Sequence, residues 1–483
     1  MADDDAPPRY RFGPLERRGL VAGWRGGQIA VVAGGLAVAV AVLRMRPSAT
    51  GAVVSFAVVA VAVVVATWPV GGRTTEQWAP DAARHAATTV RQHRHDRQRP
   101  LAGIVVRAVE LDPGSARAGS PVAAVIDDRA QRTYSAVLAV SGPGFVLLGA
   151  GDKARRVAAW STALASLARQ GSAVHRLQWI ETTLPDDRAE MRRHLTDGAV
   201  VGPDADPYRS YAALLDGAGA APRHEVLLAV TIHAGRCARA VKAAGGGGRG
   251  GAAVVVREAA SVARRLVDAD VTVDGLLSPE ELEEALRRRF GEPCPAADRG
   301  VARRRPSSGS TRRCPTPMGM RAEWGRLRAD AAWHATFWIA EWPRTDVGAD
   351  FLAPLLLCAE VRRSVSVVME PVAPLQAARR IEQARTADIA DAELRRRGGF
   401  LATARRRREE EILTWRESEL ADGHASYRFS GYVTVAAGDV DALEEACGRI
   451  EQAAGQAGLE LRRCYGDQAA AFACTLPFGR GLS

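Results

Sequence analysis

The chain has 483 residues, 47% of them hydrophobic and 25% charged, which is too apolar for a disordered chain and long enough to bury more than one core. Its 65 basic residues outnumber 55 acidic ones, for a net charge of +10, and nearly all the cations are arginine, since Lys153 and Lys242 are the only lysines. Spread over this length, the surplus favours anionic partners such as lipid head groups or nucleic acid without dictating one.

The first elements are two apolar runs, Gly26 to Leu43 and Gly51 to Val70, neither of which holds a charge. At about 1.5 Å per residue they reach roughly 27 and 30 Å, the thickness of the hydrocarbon layer. The stretch between them, Arg44 to Thr50, contains Pro47 and is too short for anything but a reversal, so the two helices form an antiparallel transmembrane hairpin. A cleaved leader would have a shorter apolar stretch and no second span directly after it.

Orientation follows from arginine counting. Arg9, Arg11, Arg17, Arg18 and Arg25 precede the first run, and Arg73, Arg84, Arg91, Arg94, Arg97 and Arg99 follow the second, against Arg44 and Arg46 in the loop. Both flanks are therefore expected on the cytoplasmic side. Trp24, Arg25, Arg44, Arg46, Trp68 and Arg73 sit at the ends of the runs and are the expected membrane-interface anchors. The small pairs Gly35 and Ala39, and Ala62 and Ala66, have a spacing that permits close helix approach, but chance suffices to produce it in such Ala- and Gly-rich segments.

Residues 71–100 are polar and basic. His93 and His95 are two apart with no Cys or carboxylate at a recognised metal spacing, so a solvated or head-group-facing segment is expected.

Beyond residue 100 the period switches repeatedly between strand and helix. One β-α-β unit runs from Thr133 through a helix carrying Val157, Trp160, Leu164 and Leu167 to the strand Val174–Ile180. A second uses the strand Glu225–His233, a helix with Val255, Ala259, Val262 and Leu266, and the strand Val271–Val273. A third joins Trp333–Glu341 to Ser364–Met369 through Phe351, Leu352, Leu355 and Leu356. The fourth joins Tyr427–Val435 to Leu459–Cys464 through a helix with Asp439 at its N-cap. Four units with helices on one side predict two ferredoxin-like, split β-α-β domains, 101–290 and 320–483.

Between them, 291–319 reads as a flexible linker, with Arg303 to Arg305 and a Ser/Gly run. Gly245 to Gly251 lies where a phosphate loop would be placed, but it follows a helical stretch and reads as a second flexible connection. The insertion 375–422 reads as a helical hairpin broken at Gly398 and Gly399. There Arg405 to Arg408 precede Glu409 to Glu411 on a solvated face.

No GxxxxGK[ST], HExxH or GxSxG is present. The carboxylates Glu280, Glu281, Glu283 and Glu284 follow Ser278 as a capping box and first helical turn, and Asp127 and Asp128 end a strand in a turn. All seven cysteines lie from Cys237 onward, in an odd number and with no CxxC pair, which fits a reducing compartment rather than a disulfide framework. No enzyme, cofactor or metal site is expected.

Several motifs carry family resemblances. Phe337 to Arg344 (FWIAEWPR), Phe351 to Leu357 (FLAPLLL), Arg362 to Val372 (RRSVSVVMEPV), Gly399 to Glu411 and Ala471 to Leu482 (AFACTLPFGRGL) stand in the stretch Trp324 to Leu482. This stretch resembles the amino-terminal, non-catalytic region of conjugative, type IV secretion ATPases of actinobacteria. The front end, Tyr10 to Gln28 followed by two spans, is similar to an actinobacterial family of two-span membrane proteins associated with such ATPases. The same outline resembles the EccE-type subunit of type VII secretion complexes.

These resemblances imply a non-enzymatic docking subunit of a secretion or conjugation apparatus in the bacterial inner membrane. Its expected partners are the lipid bilayer, a separately encoded P-loop ATPase and further copies of itself. A DNA-binding component of a conjugation pore, holding phosphates with the arginines of 73–99 or 303–313, is the competing expectation.

Overall fold

A computed structural model describes Tyr10, Phe12 and residues 26–67, 82–83, 86, 101, 103–111, 121–142, 144–185, 192, 195–196, 198–217, 222–291, 311–314, 317, 319–358, 361–397 and 404–482. Outside these residues lie Trp24, Arg25, Trp68, Arg73, the histidines His85, His93 and His95, Cys294, Arg303 to Arg305 and the Gly398–Gly399 break. Two compact units divide the chain, the apolar hairpin within Pro14–Gln98 and a sheet region that holds most of the rest.

In the hairpin, α1 (Gly26–Met45) and α2 (Ala49–Thr67) are joined through Pro47, which lacks the N–H to continue α1. The Ser48 hydroxyl accepts the Gly51 N–H at 3.2 Å and starts α2. Small residues set the helix contact. Ala39, Ala62 and Ala66 are buried, and a Cβ on Gly35 would collide with that of Ala62. The spacing that chance could have produced is thus the packing stripe itself.

The sheet region opens with β1 (Ile104–Glu110), β2 (Val122–Asp128) and β3 (Thr133–Ser141). α3 (Ala150–Leu167) leads to β4 (Val174–Pro185) and α4 (Asp206–Gly217) to β5 (Pro222–His233). α5 (Ala238–Ala243) and α6 (Gly247–Asp268) then precede β6 (Thr272–Leu276). After α7 (Pro279–Phe290) come the short strands β7 (Thr311–Arg313), β8 (Met320–Ala322) and β9 (Leu327–Ala329), then β10 (Ala332–Glu341), α8 (Ala353–Leu356) and β11 (Arg362–Val372). A helical arm, α9 (Pro374–Arg397) and α10 (Ala404–Ala421), precedes β12 (Ser426–Ala437), α11 (Val440–Gln456), β13 (Glu460–Arg463) and α12 (Gln468–Ala473).

Among the described residues these strands form one 13-stranded sheet, ordered β7-β1-β2-β3-β5-β4-β11-β12-β10-β9-β8, with β6 on β3 and β13 on β10. Every pairing is antiparallel. The stretches on either side of residue 300 therefore share a sheet. β4 and β11 join them in a register running from Arg363 opposite Thr183 to Met369 opposite Leu177.

Both faces of the central strands are buried, and the two-residue period sorts side chains between them. Val125, Leu138 and Leu228 face α3 and α6, while Ile126, Val137 and Leu227 face α7 and the carboxy-terminal segment. A third cluster places Phe337, Val365 and Val433 against α8 and α11, and Trp179 belongs to both it and the α6 cluster, so these helices share a face. The helices of the four units thus lie on one face, and α7 does not. α7 buries Leu282, Leu286 and Phe290 on the opposite face, joined by Phe472, Leu476 and Phe478.

Three local readings also change. Gly247 to Gly251 form the first turn of α6 rather than a flexible connection. Gly245, Gly246 and Gly247 have positive φ, and side chains at Gly250 and Gly251 would strike the Val241 carbonyl and the Tyr134 ring. The expected third-unit helix is the single turn α8, stopped where the Arg363 guanidinium donates to the carbonyls of Leu356 and Cys358. Thr311–Arg313, within the stretch read as a linker, pairs with β1. The capping box of Ser278 and Glu281 and the Asp439 cap, which accepts the Ala442 N–H at 2.8 Å, form as expected.

Candidate membrane anchor and docking face

The hairpin presents Leu36, Val38, Val40, Leu43, Val53, Phe56, Val61 and Val64 outward, all exposed. Only 6% and 11% of the two apolar windows are buried, so neither helix is the core helix of a globular domain. An apolar surface of this extent has no stable home in water. The polar groups inside the pair are satisfied internally. Ser55 Oγ donates to the Ala39 carbonyl at 2.9 Å and Gln28 Nε2 to the Ala66 carbonyl at 2.9 Å, as a helix pair in hydrocarbon requires. Arg44 and Arg46 lie exposed together at the reversal. The other expected anchors fall outside the described residues.

In the sheet region the carboxy-terminal segment lies across the face opposite α6 and ties the two parts of the sheet together. Its central post is Gln178 on β4. The Gln178 Nε2 donates to Ser366 Oγ at 2.9 Å and to the carbonyls of Cys474 and Leu476 at 2.8 and 2.9 Å, and its Oε1 accepts the Gly479 N–H at 2.7 Å. Toward β10, Thr475 Oγ1 meets Thr434 Oγ1 at 2.9 Å and Gln468 accepts the Thr336 N–H at 2.8 Å. Toward β2, Arg480 pairs with the buried Asp128 at 2.7 Å. The sequence marked Ala471 to Leu482 only as a resemblance; its Thr, Gly and Arg at strap positions were the readable signal.

A second strap was missed. Tyr10 forms a two-way backbone bridge with Val347, and Phe12 stacks on Trp342 at 5.3 Å and contacts Phe351 and Phe429 at 5.1 and 6.3 Å. The alternation of Tyr10 and Phe12 was a two-residue strand signal hidden inside a basic leader.

Charge is concentrated around Glu370, which has Arg176, Arg236 and Arg428 within 3.8 to 3.9 Å and His175 at 3.6 Å. Burial, then the charges of Arg176 and Arg236, lower the His175 pKa to about 4. Asp127 pairs with Arg107 at 2.9 Å, and Asp128 also accepts the Ala130 and Gln131 N–H groups, so both carboxylates are structurally occupied. Among the described residues no three His, Cys, Asp or Glu side chains are grouped to hold a metal ion, and the described cysteines form no disulfide. Burial pushes Cys314 and Cys447 up to about 12, far from thiolate chemistry.

Residues 220–339 match the family model described as "EccE: Putative type VII ESX secretion system translocon, EccE". The matched segment, about a quarter of the chain, runs from β5 through α6 and α7 into β10 and so crosses from one part of the sheet to the other. A search of curated proteins finds no match.

Proposed function

We propose that this chain is a membrane-anchored structural subunit of a type VII-like secretion complex. The observation that carries the reading is the translocon-family match inside a sheet region that the same chain follows from two outward-apolar helices. The hairpin holds the chain in the bacterial inner membrane with both flanks in the cytoplasm. Trp24, Arg25, Trp68 and Arg73 mark that side, and Arg44 and Arg46 mark the other.

The sheet region acts as a docking platform without an active site of its own. We read it as two ferredoxin-like domains fused edge to edge. Support comes from the orders β6-β3-β5-β4 and β13-β10-β12-β11, each an antiparallel sheet built by two crossing β-α-β connections. In this reading the helical arm α9–α10 is an insertion between the second and third strands of the latter domain. A separately encoded P-loop ATPase is the proposed partner.

Purification of the tagged chain from detergent-solubilised native membranes tests the proposal. It predicts a large assembly containing membrane subunits and a P-loop ATPase; recovery of the chain alone and monomeric overturns it.

A further inference from the structure

Where the end of α7 meets β10 and β11, a cavity of about 10 Å³ is lined by Thr182, Arg289, His334, Arg362, Thr434 and Thr475, among others. Three lining side chains are buried with polar atoms unmatched, one of them Arg363, 1% exposed, whose Nε has no partner. Arg289 is 4% exposed and its Nε and Nη2 have no partner; His334 is 0% exposed and its Nδ1 has none. Unsatisfied buried donors of a charged group are costly enough to call for an explanation.

The surroundings are short of negative charge. Arg288 pairs with Glu225 at 2.7 Å and Glu284 at 3.1 Å, and Arg289 shares Glu225 at 2.7 Å. Among the described residues no carboxylate pairs with Arg362, whose guanidinium donates to the Arg288 carbonyl. With Arg363, which also lines the cavity and has Glu181 near it, four guanidinium groups stand against three carboxylates. Burial and the neighbouring Arg289 charge both push Arg362 below its ordinary pKa, as expected for two cations facing each other without a counterion.

The carbonyl end of α7 supplies partial negative charge, but its groups are already taken. Arg362 answers Arg288, Arg289 Nη1 answers Ala285 at 2.9 Å, and His334 Nε2 lies 3.3 Å from the Phe290 carbonyl. What Arg289 leaves open to the cavity is donor capacity. His334, which burial holds neutral with its Nε2 hydrogen on the Phe290 carbonyl, turns an acceptor Nδ1 there, and becomes a further donor only when an adjacent anion favours its protonation.

We propose that this cavity binds one monovalent inorganic anion of single-atom size, a halide such as chloride. The volume is about that of one water molecule, which excludes phosphate and carboxylate ligands; a halide, larger than water, enters as the Arg289 and Arg362 side chains draw back. One such charge balances the surplus guanidinium. The anion locks α7, which belongs to the part of the sheet before residue 300, against β10 and β11 of the other part.

The test uses the purified full chain in detergent at constant ionic strength, with gluconate progressively replaced by chloride. Chloride raises the unfolding temperature along a saturating curve; at ten times its Kd it lowers the unfolding constant roughly elevenfold. Arg362→Gln removes the charge, and it abolishes the saturating component, leaving the general salt effect. Chloride-35 line broadening on the unmodified chain supplies a second readout that does not depend on the variant folding. Identical unfolding in chloride and gluconate, with no broadening above the detergent blank, overturns the proposal and assigns the cavity to water.

Discussion

Gln178 and Ser366 meet across the strand pair that joins the two parts of the sheet, with Gln178 Nε2 2.9 Å from Ser366 Oγ and both side chains fully buried. The same amide holds the carbonyls of Cys474 and Leu476 and the N–H of Gly479, so one side chain fastens β4, β11 and the carboxy-terminal strap. Gln178→Leu preserves volume but removes the partner of these groups in a buried interface, where each group left unsatisfied costs about 1–3 kcal/mol, the Leu476 carbonyl keeping the Phe478 N–H. The expected outcome is a loss of about 3 kcal/mol in denaturant unfolding, with amide exchange accelerated first across residues 474–482. Protection in that segment equal to the unmodified chain would show that the strap is held by its apolar contacts alone.

Arg480 makes the corresponding tie at the other end of the strap. Its partner Asp128 is 1% exposed and sits in a turn that uses the other carboxylate oxygen for the Ala130 and Gln131 N–H groups. Removing one member of a buried pair strands the other charge, at about 3–5 kcal/mol. Arg480→Ala is therefore expected to cost several times more than Arg480→Met combined with Asp128→Asn, which removes both charges and keeps the turn acceptor. Urea midpoints of the two proteins decide this, and equal midpoints would mean that the ion pair carries no net weight.

His175 gives the fold an acid limb. Its pKa in the fold, about 4, lies below the free value of 6.5, because burial and the charges of Arg176, Arg236 and His233 disfavour the imidazolium against the opposing Glu370. The unfolded chain then binds the proton more readily, so stability rises with pH. The contribution is present in full above pH 6.5 and is lost as pH falls from 6.5 toward 4, at about 1.4 kcal/mol per unit of pKa separation. His175→Gln, which cannot titrate, flattens part of this slope in a series of unfolding curves. Buried His334, also lowered to about 4, supplies another part, so the slope does not vanish. An unchanged slope would assign the limb elsewhere.

Much of this architecture could be read from periodicity. Val255, Ala259, Val262 and Leu266 mark the buried stripe of α6, and Leu443, Cys447, Ile450 and Ala454 that of α11, because a helix against a sheet needs one apolar face at a 3.6-residue spacing. What escaped was decided by contacts distant in sequence. Nothing local to Val174–Pro185 announces that β4 pairs with β11 nearly two hundred residues away, since a strand buried on both faces looks the same whichever neighbour it takes.

The glycines of 245–251 look flexible in sequence and are fixed by the approach of Tyr134 and the Val241 carbonyl. The leader's Phe12 was masked by surrounding arginines, although its ring is held among Trp342, Phe351 and Phe429. Of the residues expected at the membrane interface, Arg44 and Arg46 lie exposed at the reversal. The Arg289–His334–Arg362 cavity was not legible in the sequence, because its members come from three elements at no fixed spacing.

The proposed orientation makes a prediction at Ser48, which caps α2 in the reversal between the helices and is exposed. Cys358 and Cys474, the described native cysteines that are not buried, provide an internal reference, because in the proposed orientation a cytoplasmic sheet region shields them from a membrane-impermeant maleimide in intact cells. Unmodified protein should therefore label only after the cells are permeabilised. Ser48→Cys should label in intact cells, since Arg44 and Arg46 are too few to hold the loop inside against the larger clusters on the flanks. The substitution is mild, as the thiol replaces a single N-terminal cap on a helix whose remaining backbone bonds are internal, a loss of about 1 kcal/mol. Labelling of the native cysteines in intact cells, with Ser48→Cys silent, would invert the hairpin and remove the cytoplasmic docking platform from the proposed function.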